Sequence, residues 1–317
     1  MRWPWQKHTT TQQRCLGIEL HNGQAFAVLR DVHGVTERFL PQAEHQGLEP
    51  LALWLKQLRR QQPGLQQLPV TISLDHNDYE LHLLEAPRVP DDELSDALRF
   101  RVKDMVSQPI ETLVVQAFRL PQDAYRGRLD MAFAAVIERV RIRQLVDWCE
   151  QQQLLLQHIT IPELSILQLV AELEPETSVG VLRLDQSAGD FYLFLDGGLY
   201  MTRSIGVGSD DLGLQPPTDG EFELESHSRL ETLALEIQRS MDYFESQLGM
   251  GSVGQIWVMV PDGAELDVLL PDLEQAVNTP IRTLALDSLF NRMAAPATLT
   301  ASLATALGGS LCYELAG

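Results

Sequence analysis

The sequence predicts an α/β protein of two similar lobes, with a smaller α+β module inserted into the first. Three observations lead there. A strand–strand–strand–helix–strand unit occurs twice. A segment of different order separates the two copies. The 317 residues, 44% apolar and 21% charged, suffice for two modest soluble cores. In the first copy, residues 15–20, 25–30 and 35–40 read as strands, 48–60 as a helix and 70–74 as a strand. In the second, the order recurs at 179–184, 191–195, 199–205, 229–248 and 256–260. Such a repeat is expected to set two lobes across a cleft.

The middle segment opens with a strand at 79–85. Arg88-Val89-Pro90-Asp91-Asp92-Glu93-Leu94 then reads as a helix start, because Pro and acidic residues suit the unpaired N–H groups and the dipole there. Leu94, Ala97, Leu98, Val102 and Met105 fall on one face of that helix. Residues 112–118 and 129–136 read as strands joined by a turn at 124–128, and 140–153 as a second amphipathic helix. A strand at 158–161 and a helix at 162–173 return to the first lobe. The Ala-, Leu-, Ser- and Gly-rich stretch 298–311 reads as a closely packed helix. The expected organisation is a first lobe of residues 1–78, 155–177 and 290–317, an insertion of 79–154 and a second lobe of 178–289. Residues 210–228 read as an acidic loop.

A net charge of -20 argues against nucleic acid as a partner, since phosphate binding needs a positive field. Cys15, Cys149 and Cys312 lie in separate apolar runs and read as buried free thiols, which fits a reducing compartment. No apolar run approaches the ~20 residues of a membrane span. The start, Met1-Arg2-Trp3-Pro4-Trp5-Gln6-Lys7-His8, lacks the apolar region of a signal peptide, so a cytoplasmic location is expected. Its tryptophans and cations suit a membrane surface, but a frayed terminus is the favoured reading. His21, His33, His45, His76, His82 and His158 are scattered without metal-ligand spacing, and no metal site is expected. Asp75-His76-Asn77-Asp78 reads as a turn between strands. Gly206-Val207-Gly208 reads as a close-approach turn. No catalytic constellation stands out.

Three stretches carry a family resemblance: Leu16-Gly17-Ile18-Glu19-Leu20, Pro90-Asp91-Asp92-Glu93-Leu94, and Leu235-Glu236-Ile237-Gln238-Arg239-Ser240-Met241-Asp242-Tyr243-Phe244. Over nearly its whole length the chain resembles the PilM-type, actin-like (ASKHA) proteins of type IV pilus assembly. The resemblance implies an actin-like fold peripheral to the inner membrane. It also implies a PilN-like partner, a bitopic pilus protein whose short cytoplasmic tail docks between the first lobe and the insertion. Peripheral membrane association is then expected through that partner. Phe100, Val102 and Met105 are the candidate partner-binding residues, because Phe100 lies off the main apolar stripe. The competing reading packs Phe100 against Phe118 or Phe133.

The resemblance also implies an ATP and Mg²⁺ site. Its expected residues are Glu19 and Asn22 in the first phosphate turn, Asp185 and Ser187 in the second, Glu236, Arg239 and Ser240 on the adenosine helix, and Gly263 in an adenine loop. Glycine serves such turns by letting N–H groups approach phosphate at φ > 0, and the Asp holds Mg²⁺. Here the first turn reads Glu19-Leu20-His21-Asn22-Gly23, with Glu for Asp and His21 where glycine is expected. The second, Asp185-Gln186-Ser187-Ala188-Gly189, has Ser187 at the close-approach position, and Pro261-Asp262-Gly263 keeps one glycine. The expectation is a scaffold with a weak or lost nucleotide site, a vestigial ATPase. Glu236, Arg239 and Ser240 read equally as a solvated face with an i,i+3 ion pair. The alternatives are a working ATPase that switches partner binding and the cytoplasmic part of a type II secretion platform protein, which would continue into a membrane span. A sugar kinase is the weakest, because Asp185-Gln186-Ser187 matches its catalytic turn poorly.

Overall fold

The computed structural model describes residues 14–31, 34–42, 44–62, 65, 67–214, 223–261, 264, 266, 269–284 and 300–312. The predicted repeat is present as two sheets of the same topology. The first unit begins with β1 (Cys15–His21), β2 (Gln24–Asp31) and β3 (Gly34–Phe39), followed by α1 (Glu49–Gln61) and β4 (Pro69–Ser73). After an insertion, β8 (Leu155–Thr160) completes a sheet of order β3-β2-β1-β4-β8. β1 pairs antiparallel with β2 and parallel with β4. The second unit repeats this with β9 (Val179–Leu184), β10 (Gly189–Leu195), β11 (Gly198–Ile205), β12 (Gln255–Met259) and β13 (Ile281–Thr283), in the order β11-β10-β9-β12-β13. Central strands β1 and β9 are buried from Cys15 to Leu20 and from Val179 to Leu184, as expected of strands covered on both faces.

The insertion carries β5 (Tyr79–Glu85), α2 (Asp91–Val102), β6 (Leu113–Arg119), β7 (Met131–Glu138) and α3 (Arg139–Gln151), with a three-stranded sheet of order β5-β7-β6. Its own core joins Leu94, Leu98 and Val102 of α2 to Leu113, Val115, Ala132, Ala134 and Val136. β7 alternates between two cores: Ala135 and Ile137 join the core beneath the first sheet, together with Leu145 and Cys149 of α3. The insertion and the first sheet thus belong to one compact unit. The hairpin tip Asp123–Arg126 is part of the second unit instead. There Tyr125 Oη lies 2.8 Å from Tyr243 Oη, and Tyr200 donates to Asp123 Oδ1 at 2.7 Å. Burial raises the pKa of both Tyr125 and Tyr200, so both phenols stay protonated.

α4 (Pro162–Leu173) starts on Pro162, whose missing N–H costs nothing in the first turn. α7 (Ala301–Leu311) is buried along its length, and small residues let it approach the sheet closely. A Cβ on Gly17 would overlap the Ala306 carbonyl oxygen, and one on Gly308 the Ser165 carbonyl oxygen of α4. Buried Arg30 donates from Nε and Nη2 to the Ser310 carbonyl at 3.2 and 3.1 Å, satisfying an acceptor left open at the helix end. α5 (Glu223–Ser246) covers the second sheet through Leu233, Ala234, Ile237, Met241 and Phe244. α6 (Leu269–Val277) and β13 lie in a stretch where the sequence pattern predicts no element. The three cysteines are free and buried, and burial pushes the Cys149 and Cys312 thiols up to about 12, so they are inert at neutral pH.

The Gly17 contact generates a prediction. Its obstructing atoms are backbone and cannot turn aside, so Gly17→Ala should cost about 1–3 kcal/mol or more in urea unfolding. Gly206→Ala meets nothing within 4 Å and should change stability by less than about 0.5 kcal/mol. Equal midpoints for the two variants would disprove the close packing of α7 on β1.

Candidate functional site

The first phosphate turn closes the β1–β2 hairpin. Asn22 and Gly23 take φ of 49° and 75°, the left-handed pair a two-residue hairpin turn needs. Glu19 lies inside β1, fully buried, with Phe26 and Ser73 opposite it on the flanking strands. Asn22 is exposed, and its amide lies 3.0 Å from His21 Nε2. The backbone of the turn is engaged by the chain itself. The Gly23 N–H donates to Asp75 Oδ2 at 3.3 Å, and the Gly23 carbonyl accepts from the Gly47 N–H at 2.6 Å. The Gln24 side chain binds the carbonyls of Gln42 and His45.

Asp75 is therefore more than a turn former. It follows β4, is 7% exposed, and accepts from the Asn77 backbone and side chain at 3.0 and 2.9 Å. Its carboxylate already lies on the N–H group that a phosphate oxygen would need. A second anion there would meet like-charge repulsion.

In the second unit, Asp185 and Ser187 stand in the turn after β9. The Asp185 N–H donates to the Ala188 carbonyl at 2.8 Å. The segment following β11 lies over this turn: the N–H groups of Ser209 and Asp210 donate to the carbonyls of Asp185 and Gln186 at 2.8 and 3.0 Å. A Cβ on Gly208 would overlap the Gln186 carbonyl oxygen, so Gly208 is a close-approach glycine. Asp185 Oδ1 lies 3.6 Å from Nε of Arg183, an arginine with no exposure inside central strand β9. The carboxylate expected to hold Mg²⁺ thus already has a buried cation beside it. Sequence reasoning missed Arg183; a charged residue within the apolar run Val179–Leu184 was the available signal.

On α5, Glu236 stands between two guanidinium groups, 3.4 Å from Arg203 Nη1 and 2.7 Å from Arg239 Nη1. Ser240 is fully buried and returns its hydroxyl to the Glu236 carbonyl at 2.7 Å, an i−4 bond within the helix. The i,i+3 pair expected of a solvated face is present, although Ser240 itself is buried and not part of that face. Gly263 and Asp262 lie outside the described residues, as do Met1–His8 and residues 215–222 of the expected acidic loop. Its end, 223–228, is not loop but the start of α5, because the acidic residues there suit a helix N-terminus. No group of three His, Cys, Asp or Glu that could hold a metal ion occurs among the described residues. These residues do not fit a tightly held polyphosphate: one turn amide holds Asp75, one turn acid neighbours Arg183, and the helix hydroxyl is spent on its own backbone.

The three candidate partner residues separate. Phe100 is 79% exposed and Met105 48% exposed. Val102 is fully buried in the core of the insertion, the same cluster as Leu98 and Leu113, so it is no surface contact. The alternative for Phe100 fails too: Phe118 and Phe133 pack on each other at 5.4 Å while Phe100 projects outward. Where the insertion leaves the first sheet, Tyr79 donates to buried Glu163 at 2.8 Å and Arg141 pairs with Asp78 at 2.8 Å, pinning the junction.

Two outcomes are expected. Val102→Ala should lower stability by about 1–3 kcal/mol through the cavity it leaves, whereas Phe100→Ala should stay within about 0.5 kcal/mol in thermal melts. Asp75→Ala removes acceptors for the Gly23 and Asn77 N–H groups and should cost about 1–2 kcal/mol. Unchanged hydrogen exchange at Gly23 in that variant would refute the Asp75 contact.

No model of a known protein family matches the chain. No curated protein matches it significantly. Among solved structures it is similar to the PilM-PilN type IV pilus biogenesis complex, with a TM-score of 0.69 and 15% identity, covering 96% of this chain and 99% of that one. It is also similar to the cytoplasmic domain of EpsL, an inner membrane component of the type II secretion system of Vibrio cholerae, with a TM-score of 0.49 and 14% identity over 95% and 94% of the two chains. A Bacteroides thetaiotaomicron protein with an actin-like ATPase fold follows, with a TM-score of 0.46 and 11% identity over 85% and 90%. The first likeness spans both chains almost completely, and with the repeated sheet topology it makes this an actin-like fold of two α/β lobes with an inserted α+β subdomain.

Proposed function

We propose that the chain is a scaffold of the inner-membrane assembly platform of a type IV pilus. In this reading it binds the cytoplasmic tail of a PilN-like bitopic protein and meets the membrane through that partner. The observation that carries the reading is the end-to-end likeness to the chain of a pilus biogenesis complex. The finer assignment is to the mannose-sensitive haemagglutinin (MSHA) pilus, as an MshI-like scaffold; its support is the three sequence stretches around Glu19, Asp91 and Glu236. No helix among the described residues is long and apolar enough to cross a membrane, which fits recruitment through a partner.

The nucleotide site is weak or lost in this reading, so tail binding proceeds without ATP. The support is the geometry of the two turns: Asp75 on the Gly23 N–H, and Arg183 beside Asp185. The exposed Phe100 is the aromatic anchor proposed for the partner, with Met105 beside it on the same segment.

Calorimetric titration tests both halves. A peptide of the partner's cytoplasmic tail should bind equally with and without ATP·Mg²⁺, and Phe100→Ala should weaken it by about 1–3 kcal/mol. Millimolar ATP·Mg²⁺ should add at most about 0.4 kcal/mol for a Kd of a millimolar or worse, a melting shift of about 1–2 °C. A shift of many degrees, or tail binding that requires ATP, would favour a working ATPase switch.

A further inference from the structure

A pocket that the tail-binding reading does not use lies on the insertion. It sits between the end of β5, the segment before α2 and the start of β7, lined by Arg88, Arg101, Arg128 and Leu129, with Glu85 and Asp130 at its edge. All three arginines are exposed. Arg101 is oriented by its own bond, donating from Nη1 to the Glu85 carbonyl at 2.7 Å. Arg88 and Arg128 make no hydrogen bond or ion pair among the described residues, and Glu85 and Asp130 are not ion-paired to any of the three. Leu129 is 48% exposed and supplies an apolar wall.

Folding does not account for this cluster. Arg88 stands just before the N-terminus of α2, where the helix dipole disfavours a cation. The three guanidinium groups outnumber the two carboxylates that line the same pocket, Glu85 and Asp130, and form no ion pair with them, which leaves the pocket net positive. The chain as a whole is strongly acidic, yet its cations are unevenly spread: residues 170–304 hold 22 acidic and 6 basic residues, so 18 of the 24 Lys and Arg lie elsewhere. The rest of the chain holds 22 acidic and 18 basic residues, a near balance. An acidic partner is therefore repelled far less there than along 170–304, and the arginine pocket supplies a local positive field.

We propose that this pocket binds an acidic peptide segment of a partner protein, with carboxylates on Arg88 and Arg128 and an adjacent apolar side chain on Leu129. Guanidinium groups suit this role because their planar fork takes a carboxylate through two parallel hydrogen bonds. Arg101, held by the Glu85 carbonyl, sets the position of the third charge. The apolar wall selects a peptide over a small anion. The pocket is independent of the tail-binding reading, and the two can fail separately.

The test uses the whole chain and a short fluorescein-labelled peptide alternating Glu and Leu, followed by fluorescence polarisation. A Lys–Leu peptide is the charge control. The acidic peptide should bind, weaken as salt rises from roughly 50 to 300 mM, and lose about tenfold or more in affinity to the double variant Arg88→Glu and Arg128→Glu. A second double variant, Arg38→Glu and Arg143→Glu, makes the same change in net charge on exposed arginines outside the pocket and should stay within about twofold. Thermal melts of both variants should match the parent, since no described contact is lost. Absence of binding, or equal weakening by both pairs, overturns the proposal. Phosphatidylserine vesicles form the last arm: co-sedimentation abolished by the Arg88 and Arg128 changes, without peptide binding, would assign the pocket to a membrane surface and overturn it as well.

Discussion

The close seating of α7 on β1 is the constraint on which the first unit depends. Gly17 gives the helix backbone room to lie against the central strand, Gly308 gives it room against α4, and Arg30 holds its last turn. The two glycine contacts are backbone against backbone, where no rotamer can relieve an overlap. With β1 held from one side by α7 and flanked by β2 and β4, the turn at its end has one position. The parallel register of Glu19 with Ser73 then brings Asp75, just past β4, within reach of Gly23.

That reach joins two features with separate origins. The turn from Asp75 to Asp78 leads from the first sheet into the insertion, and Tyr79 and Arg141 fasten the insertion to the same place. The phosphate turn and the root of the insertion therefore share one carboxylate. The Asp75 carboxylate is thus a fixed anion at this junction.

The two sheets repeat in topology but differ in chemistry. β1 carries a buried carboxylate at Glu19, β9 a buried guanidinium at Arg183. Taking either charge out of water is costly unless partners surround it. The repeat preserves strand order and pairing, while each phosphate turn is closed by a different device: a carboxylate in the first unit, the Gly208 segment in the second.

The order of elements was legible in the sequence because it rests on local physics. Apolar runs, their period and the Pro and Asp at helix starts place most elements of the repeated unit and the insertion within two or three residues of their observed bounds. The exception is α5, which starts six residues before the expected 229 because its first turns lie in the acidic stretch that reads as loop. β13 escaped because three residues are too few to show a period, and α6 beside it was missed with it. The resemblance carried by Glu19 and Glu236 pointed to a phosphate site, and the loss of glycines at His21 and Ser187 already argued against tight binding. What only the tertiary structure decided depends on residues far apart in the chain. Val102 and Phe100 are both apolar and two positions apart, and which face of α2 lies on the core of the insertion decides which is buried. Asp75 reads locally as a turn former, but its bond to Gly23 spans 52 residues and exists only once β1 and β4 pair. Arg88 and Arg128 meet in one pocket because β5, α2 and β7 converge there, and distance along the chain says nothing of that convergence.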